Sequence, residues 1–158
     1  MSKTNLYSFR INTLEGKPFD LSSLRGRKVL LVNTASACGY TPQYSQLEEL
    51  HRKWGNKLCV IGIPSNDFGA QEPGTAEEIR NFCDTRYGVT FPLMEKTVTL
   101  GDAAHPLFRW LSDKKENGVN EVKPQWNFGK YLVSETGDLM AYFSPAVSPF
   151  DEEITRLI

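Results

Sequence analysis

Lys28-Val29-Leu30-Leu31-Val32-Asn33-Thr34-Ala35 and Leu58-Cys59-Val60-Ile61-Gly62-Ile63-Pro64 are two continuous apolar runs rich in β-branched residues. An alternating strand has one wet face, whereas a continuous run suits a strand covered on both faces. Between them Tyr44, Leu47, Leu50 and Trp54 recur at helical spacing. Thr41 stands where a helix cap is wanted, and Pro42 at the first helical position, where its missing N–H is no loss. Residues 28–64 therefore read as a strand–helix–strand unit, parallel and right-handed, with its helix over 42–54.

Reading outward, Leu6-Tyr7-Ser8-Phe9-Arg10-Ile11 alternates, Glu15-Gly16 turns the chain and Lys17-Pro18-Phe19 begins a return. An N-terminal β-hairpin is expected there. Downstream, Thr75-Ala76-Glu77-Glu78 is a capping box opening a helix over 75–87. Ile79, Phe82, Cys83 and Tyr87 form its apolar face, and Gly88 stops it. A third helix is expected over 104–115, through Leu107, Phe108, Trp110 and Leu111. Strands follow over 129–134 and 138–144, joined by the turn Glu135-Thr136-Gly137-Asp138, and a short helix over 149–157 closes the chain. Mixed strands with flanking helices make the fold class α/β. There are no repeats and no linker, so residues 1–158 are expected to form one domain.

The chain has 158 residues, 40% hydrophobic, with 18 basic and 19 acidic side chains and a net charge of -1. That is too apolar and too balanced for a disordered chain. Near-zero charge leaves no electrostatic footprint for nucleic acid or an anionic membrane. No apolar run approaches the roughly 18 residues of a membrane span. The opening Met1-Ser2-Lys3-Thr4-Asn5-Leu6 lacks the apolar core of a signal peptide. Three cysteines, Cys38, Cys59 and Cys83, are odd in number and form no CxxC pair; the two histidines, His51 and His105, are scattered. Neither a disulfide framework nor a zinc site is expected from that pattern. No metal or cofactor is expected, and free thiols imply a reducing, cytoplasmic location.

Cys38 lies in Ala35-Ser36-Ala37-Cys38-Gly39-Tyr40-Thr41-Pro42, between the end of the first core strand and the start of the helix. Ligands and chemistry collect at the carboxyl ends of strands in open α/β sheets. A helix N-terminus offers unpaired N–H groups and partial positive charge, which favour thiolate over thiol. The Cys38 pKa is accordingly expected below the unperturbed ~8.5, making it a nucleophile rather than a packed core cysteine. Thr41 occupies the position where a dithiol motif would carry its second cysteine. The chemistry should shift from dithiol exchange toward oxidation of one cysteine, resolved from elsewhere.

Three ordered motifs now meet. They are Asn33-Thr34-Ala35-Ser36-Ala37-Cys38-Gly39-Tyr40-Thr41-Pro42-Gln43-Tyr44, then Ile63-Pro64-Ser65-Asn66-Asp67-Phe68-Gly69-Ala70-Gln71-Glu72-Pro73-Gly74, then Trp126-Asn127-Phe128-Gly129-Lys130. Tyr87-Gly88-Val89-Thr90-Phe91-Pro92 and His105-Pro106-Leu107 extend the match over nearly the whole chain. The sequence resembles the glutathione peroxidase family. That resemblance implies a thioredoxin-like fold, with a central mixed β-sheet flanked by helices, and an antioxidant peroxidase acting in the response to oxidative stress.

Carried over by position, the resemblance makes Cys38 the peroxidatic residue, where many animal members have selenocysteine and a faster first step. It makes Gln71, Trp126 and Asn127 the rest of a catalytic tetrad. Their amide and indole N–H groups are hydrogen-bond donors able to stabilise a thiolate or a departing peroxide oxygen. Asn66 is expected to shape its loop, and Cys59, inside an apolar strand, to be structural. Ser65 and Asp67 depart from the family's usual cysteine and glutamine; Asp67 either adds negative charge near the site or faces solvent.

Cys83 matches the segment where non-selenium members keep a resolving cysteine. The two cysteines stand 45 positions apart in separate elements. A disulfide needs Cα atoms within about 7 Å, so they are expected to begin apart, with partial unwinding of the 75–87 helix closing the bond. The implied cycle reduces hydrogen peroxide and organic or lipid hydroperoxides. It forms a Cys38 sulfenic acid, then a Cys38–Cys83 disulfide, and is recycled by thioredoxin or glutathione. Only 15 residues separate Trp110 from Trp126, too few for the extra loop of tetrameric members, so a monomer with an open cleft is expected. Two other readings are a peroxide-sensing redox relay and a thioredoxin-type thiol–disulfide oxidoreductase; the absent cysteine at position 41 argues against the second.

Overall fold

Apolar side chains on both faces of a four-stranded sheet organise the chain, seen here in a computed structural model that describes residues 4–158. Strands β1 (Ile11–Asn12) and β2 (Pro18–Phe19) pair antiparallel as the N-terminal hairpin. Then come β3 (Lys28–Thr34), α1 (Gln43–Lys53), β4 (Leu58–Pro64), α2 (Ala76–Tyr87), α3 (Pro106–Leu111), α4 (Lys114–Asn117), β5 (Lys130–Val133), β6 (Leu139–Phe143) and α5 (Glu152–Thr155). The main sheet runs β4-β3-β5-β6. β3 and β4 are parallel, with α1 as their crossover, while β3–β5 and β5–β6 are antiparallel. The mixed sheet, the hairpin and the strand–helix–strand unit all follow the expectation.

The two core strands are covered on both sides, as their unbroken apolar runs require. Leu30, Val32, Val60 and Leu132 face Tyr44, Leu47 and Leu50 of α1, Ile79 and Cys83 of α2, and Ile154 of α5. Val29, Leu31, Ile61, Ile63, Tyr131 and Val133 face Leu107, Phe108, Trp110 and Leu111 of α3, with Leu6, Ile11, Leu21 and Leu24 from the N-terminal segment.

Four local expectations need correction. The alternating Leu6–Ile11 stretch is not a strand throughout: Leu6–Ser8 is a 3-10 turn. Asn5 accepts the Tyr7 N–H, and the Ser8 hydroxyl accepts the Asn5 N–H, so side-chain bonds to the backbone override the alternation. The 104–115 helix is two pieces, because Asp113 caps a new turn by accepting the Lys115 N–H. The last helix is only Glu152–Thr155, started by the Asp151 side chain on the Glu153 N–H. Thr41 does not cap α1; Pro42 precedes it without a side-chain cap. The α2 helix, in contrast, keeps its Thr75–Glu78 capping box and its left-handed Gly88 stop.

Lys130 is fully buried at the start of β5. Its Nζ donates to the Phe128 carbonyl at 2.8 Å and the Pro145 carbonyl at 3.2 Å. Burial pulls its pKa down from 10.5 to about 7. Between those values the folded amine is neutral while the unfolded one is still charged, so the unfolded chain binds more protons and stability rises with pH. From pH 7 to 8.5, thermal midpoints of the wild-type protein should climb relative to those of Lys130→Met; parallel curves would refute a buried neutral amine.

Candidate active site

β3 ends at Thr34, and the chain turns sharply through Ser36–Pro42 before α1 begins. Cys38 sits in this turn. Thr41, at the position a second cysteine would take, holds the turn closed. Its hydroxyl accepts the Cys38 N–H at 2.9 Å and donates to the Ala35 carbonyl at 2.9 Å. The Tyr40 N–H then points back at the Cys38 sulfur, 3.3 Å away. Among the described residues it is the hydrogen bond that reaches this sulfur. Cys38 is only 7% exposed, less open than its place in a turn suggests, while Tyr40 beside it is 37% exposed.

The expected partners assemble next to this turn. The Ala37 N–H donates to the Gln71 carbonyl at 3.1 Å, which ties the Cys38 loop to the 65–74 loop. The Asn127 side-chain amide donates to Gln71 Oε1 at 3.1 Å and to the Phe68 carbonyl at 3.3 Å. With Oε1 so held, the Gln71 NH2 group is left as a directed donor. Trp126, 36% exposed, packs on Phe68 with ring centroids 6.0 Å apart. Gly69 makes this approach possible: its φ is +67°, and a Cβ there would lie 2.9 Å from the Trp126 ring.

Asn33 is a positioning residue that its motif carries without an assigned role. Buried at the end of β3, it donates from Nδ2 to the Trp126 carbonyl at 2.8 Å, and its own carbonyl accepts the Phe128 N–H at 2.6 Å. Phe128 takes a left-handed φ of +69°, uncommon for a bulky residue, and this bend turns Trp126 and Asn127 toward the site. The sequence signal was present as a lone amide inside an apolar strand.

The 65–74 loop answers two further expectations. Asn66 shapes it, its Oδ1 accepting the Glu72 N–H at 2.9 Å. Asp67 is exposed, as the second alternative has it, and its carboxylate accepts the backbone N–H and the hydroxyl of Thr99. Ser65 is fully buried, and its hydroxyl accepts the Asp67 N–H at 3.3 Å.

The three cysteines are free thiols with different surroundings. Cys59 faces the sheet side opposite Cys38, which places it in the core. Cys83 is fully buried on the same side as Cys38. Burial pushes its thiol up to about 11, and the neighbouring Glu72 charge adds to the rise, against Tyr44 and Arg80. The Tyr44 ring joins these parts, packing edge-on to Phe128 at 5.4 Å and tilted against Tyr87 of α2 at 5.5 Å. Glu48 of α1 pins the chain just beyond α2. It accepts the Thr90 N–H at 2.7 Å and the Thr90 hydroxyl at 2.5 Å.

Known proteins show the same arrangement of sequence. The family model for glutathione peroxidase matches residues 6–112. The chain is 43% identical over 150 residues to the glutathione peroxidase-like peroxiredoxin GPX5 of Chlamydomonas reinhardtii, covering 94% of this chain and 92% of that one. It is 42% identical over 156 residues to the hydroperoxy fatty acid reductase gpx1 of Synechocystis, covering 94% and 91%. Among solved structures, T. cruzi GPX1 superposes with a TM-score of 0.76 at 31% identity, covering 98% of this chain and 95% of that chain. A thioredoxin-family thiol:disulfide interchange protein from Chlorobium tepidum, at 19% identity and a TM-score of 0.64, shares the fold. With a thioredoxin-like fold and relatives this close over nearly its full length, the chain belongs to the glutathione peroxidase family.

Proposed function

We propose that this thiol peroxidase works through Cys38 as the peroxidatic nucleophile and Cys83 as its resolving partner. The observation that carries the reading is the Cys38 turn: a sulfur facing the Tyr40 N–H, docked through Ala37 against Gln71, with Asn127 and Trp126 beside it. The Cys38 thiolate attacks one peroxide oxygen. The O–O bond breaks, sulfur gains oxygen as a sulfenic acid, and the second oxygen leaves with a proton as water or alcohol. Gln71, Trp126 and Asn127 form the polar wall beside that reaction, with donors that keep their charge state at all working pH values. No prosthetic group enters this cycle.

Cys83 then attacks the Cys38 sulfenic sulfur, and water departs. Helix α2 suits the movement this needs, because it buries only Ile79 and Cys83 among its twelve residues. A segment with few buried contacts opens locally at low free energy. An external thiol reductant regenerates both cysteines by exchange. A disulfide formed within the chain favours a dithiol such as thioredoxin over glutathione. The substrates are hydrogen peroxide and organic hydroperoxides. The short 111–125 connection leaves the site open to bulky lipid hydroperoxides, in keeping with the name of the Synechocystis relative. The protein acts as a monomer in the cytoplasm; among the described residues no helix is long and apolar enough to cross a membrane.

Peroxide consumption coupled to NADPH, run separately with thioredoxin and glutathione systems, tests the cycle. Cys38→Ser should abolish turnover with both, and Cys83→Ser should abolish it with thioredoxin. Full turnover of Cys83→Ser with thioredoxin would remove the resolving role. In the same assay, Asn127→Ala should lower kcat/KM on the order of 100-fold by freeing the Gln71 amide. Wild-type rates in that variant would take Asn127 out of the site.

A further inference from the structure

One backbone oxygen joins two segments of the site that lie far apart in the chain. β6 ends at Phe143, and Pro145 follows in a turn closed by the Val147 N–H on the Ser144 carbonyl at 3.0 Å. Proline fixes its own φ at the second position of such a turn, which stiffens the carbonyl that follows it. That carbonyl has two lone pairs and accepts two donors. Gln43 Nε2 donates to it at 2.9 Å and Lys130 Nζ at 3.2 Å. Gln43 opens α1, directly after the Cys38 turn. The Lys130 Nζ also donates to the Phe128 carbonyl at 2.8 Å.

These three hydrogen bonds run in series, from Gln43 to Pro145, to Lys130, to Phe128. At one end is the segment that carries the sulfur; at the other is the segment that carries the indole and the Asn127 amide. Phe128 needs holding, because a bulky residue at a φ of +69° is strained. Its N–H is bound by Asn33 and its carbonyl by Lys130, so the bend is fixed from both sides. Lys130 is an expensive residue for this place. It is fully buried, and burial alone pulls its amine down to about 7. A methionine would fill the same length of core without that desolvation. What the amine adds is direction: both of its bonds go to main-chain oxygens, and they fix where those oxygens stand.

We propose that Lys130 and Gln43 are positioning residues for the peroxide step, holding the Trp126–Asn127 segment in register with the Cys38 turn through the Pro145 carbonyl. The inference rests on Cys38 as the nucleophile and adds two residues to that reading. Among the described residues neither side chain donates to the Cys38 sulfur, and both act through the backbone they hold.

Rapid mixing with hydrogen peroxide, followed by quenching and mass spectrometry, measures formation of the Cys38 sulfenic acid. Lys130→Met and Gln43→Met keep the side-chain length and remove the donor. Each should slow that step on the order of 10-fold, within the ~100-fold that a misplaced reacting group can cost. In steady state, kcat/KM for the peroxide should fall by the same factor. The kcat/KM for thioredoxin, which reads reduction of the oxidised protein, should stay at its wild-type value. Because the bonds act in series, the double variant should be no slower than the slower single one. Gln43 is half-buried, and its variant decides the question by itself if Lys130→Met does not fold. Wild-type oxidation rates in either variant overturn the proposal. So do equal falls in the two kcat/KM values, which mark general loosening, or a double variant slowed by the product of the single effects. In those outcomes the unsubstituted protein still forms its sulfenic acid, and the reading of Cys38 stands. An unsubstituted protein that forms no Cys38 sulfenic acid overturns that reading and the positioning proposal together.

Discussion

The site depends on how the end of β3 is tied to two distant loops. Asn33 holds the 126–128 segment with its side chain and its carbonyl, and Ala37 holds the 65–74 loop at Gln71. Asn33 and Phe128 are fully buried, and a hydrogen bond between buried groups is expensive to leave unmade. Remove them and Gln71, Trp126 and Asn127 have no reason to share a corner of the molecule. The strand supplies rigidity: β3 is the inner strand between β4 and β5, so its end moves little relative to the core.

The Cys38 turn shows how one substitution redirects a fold's chemistry. In a thioredoxin-type dithiol site, position 41 would hold a second sulfur. Here Thr41 places a hydroxyl there, and that hydroxyl bridges the Cys38 N–H to the Ala35 carbonyl. The turn is stabilised and a nearby resolving thiol is removed together. Cys83 of α2 lies fully buried on the same side of the sheet as Cys38.

Buried polar residues carry most of what is distinctive here. Glu48, Glu72, Asn33, Asn127 and Lys130 are all buried in a chain whose core is otherwise apolar. Glu48 shows the structural use of such a group. Burial opposes its ionisation, but the Thr90 hydroxyl and N–H together with Arg52 outweigh it and hold the carboxyl below its ordinary pKa. That bond anchors the chain after α2 while the helix itself stays lightly held.

The order of elements was legible in the sequence because it is written locally. Unbroken apolar runs, the 75–78 capping box and the Gly88 stop each act within a few residues. Cys38 stood out from its place between a strand and a helix, and its expected partners only from the family resemblance. Where side chains compete for backbone groups, local reading failed: Asn5 and Ser8 made a turn of an alternating stretch, and Asp113 split a helix. Tertiary structure alone decided which amides meet and that Asp67 turns to Thr99. Those outcomes depend on residues far apart in the chain reaching the same few ångströms, and only the packed sheet and its helices bring them there.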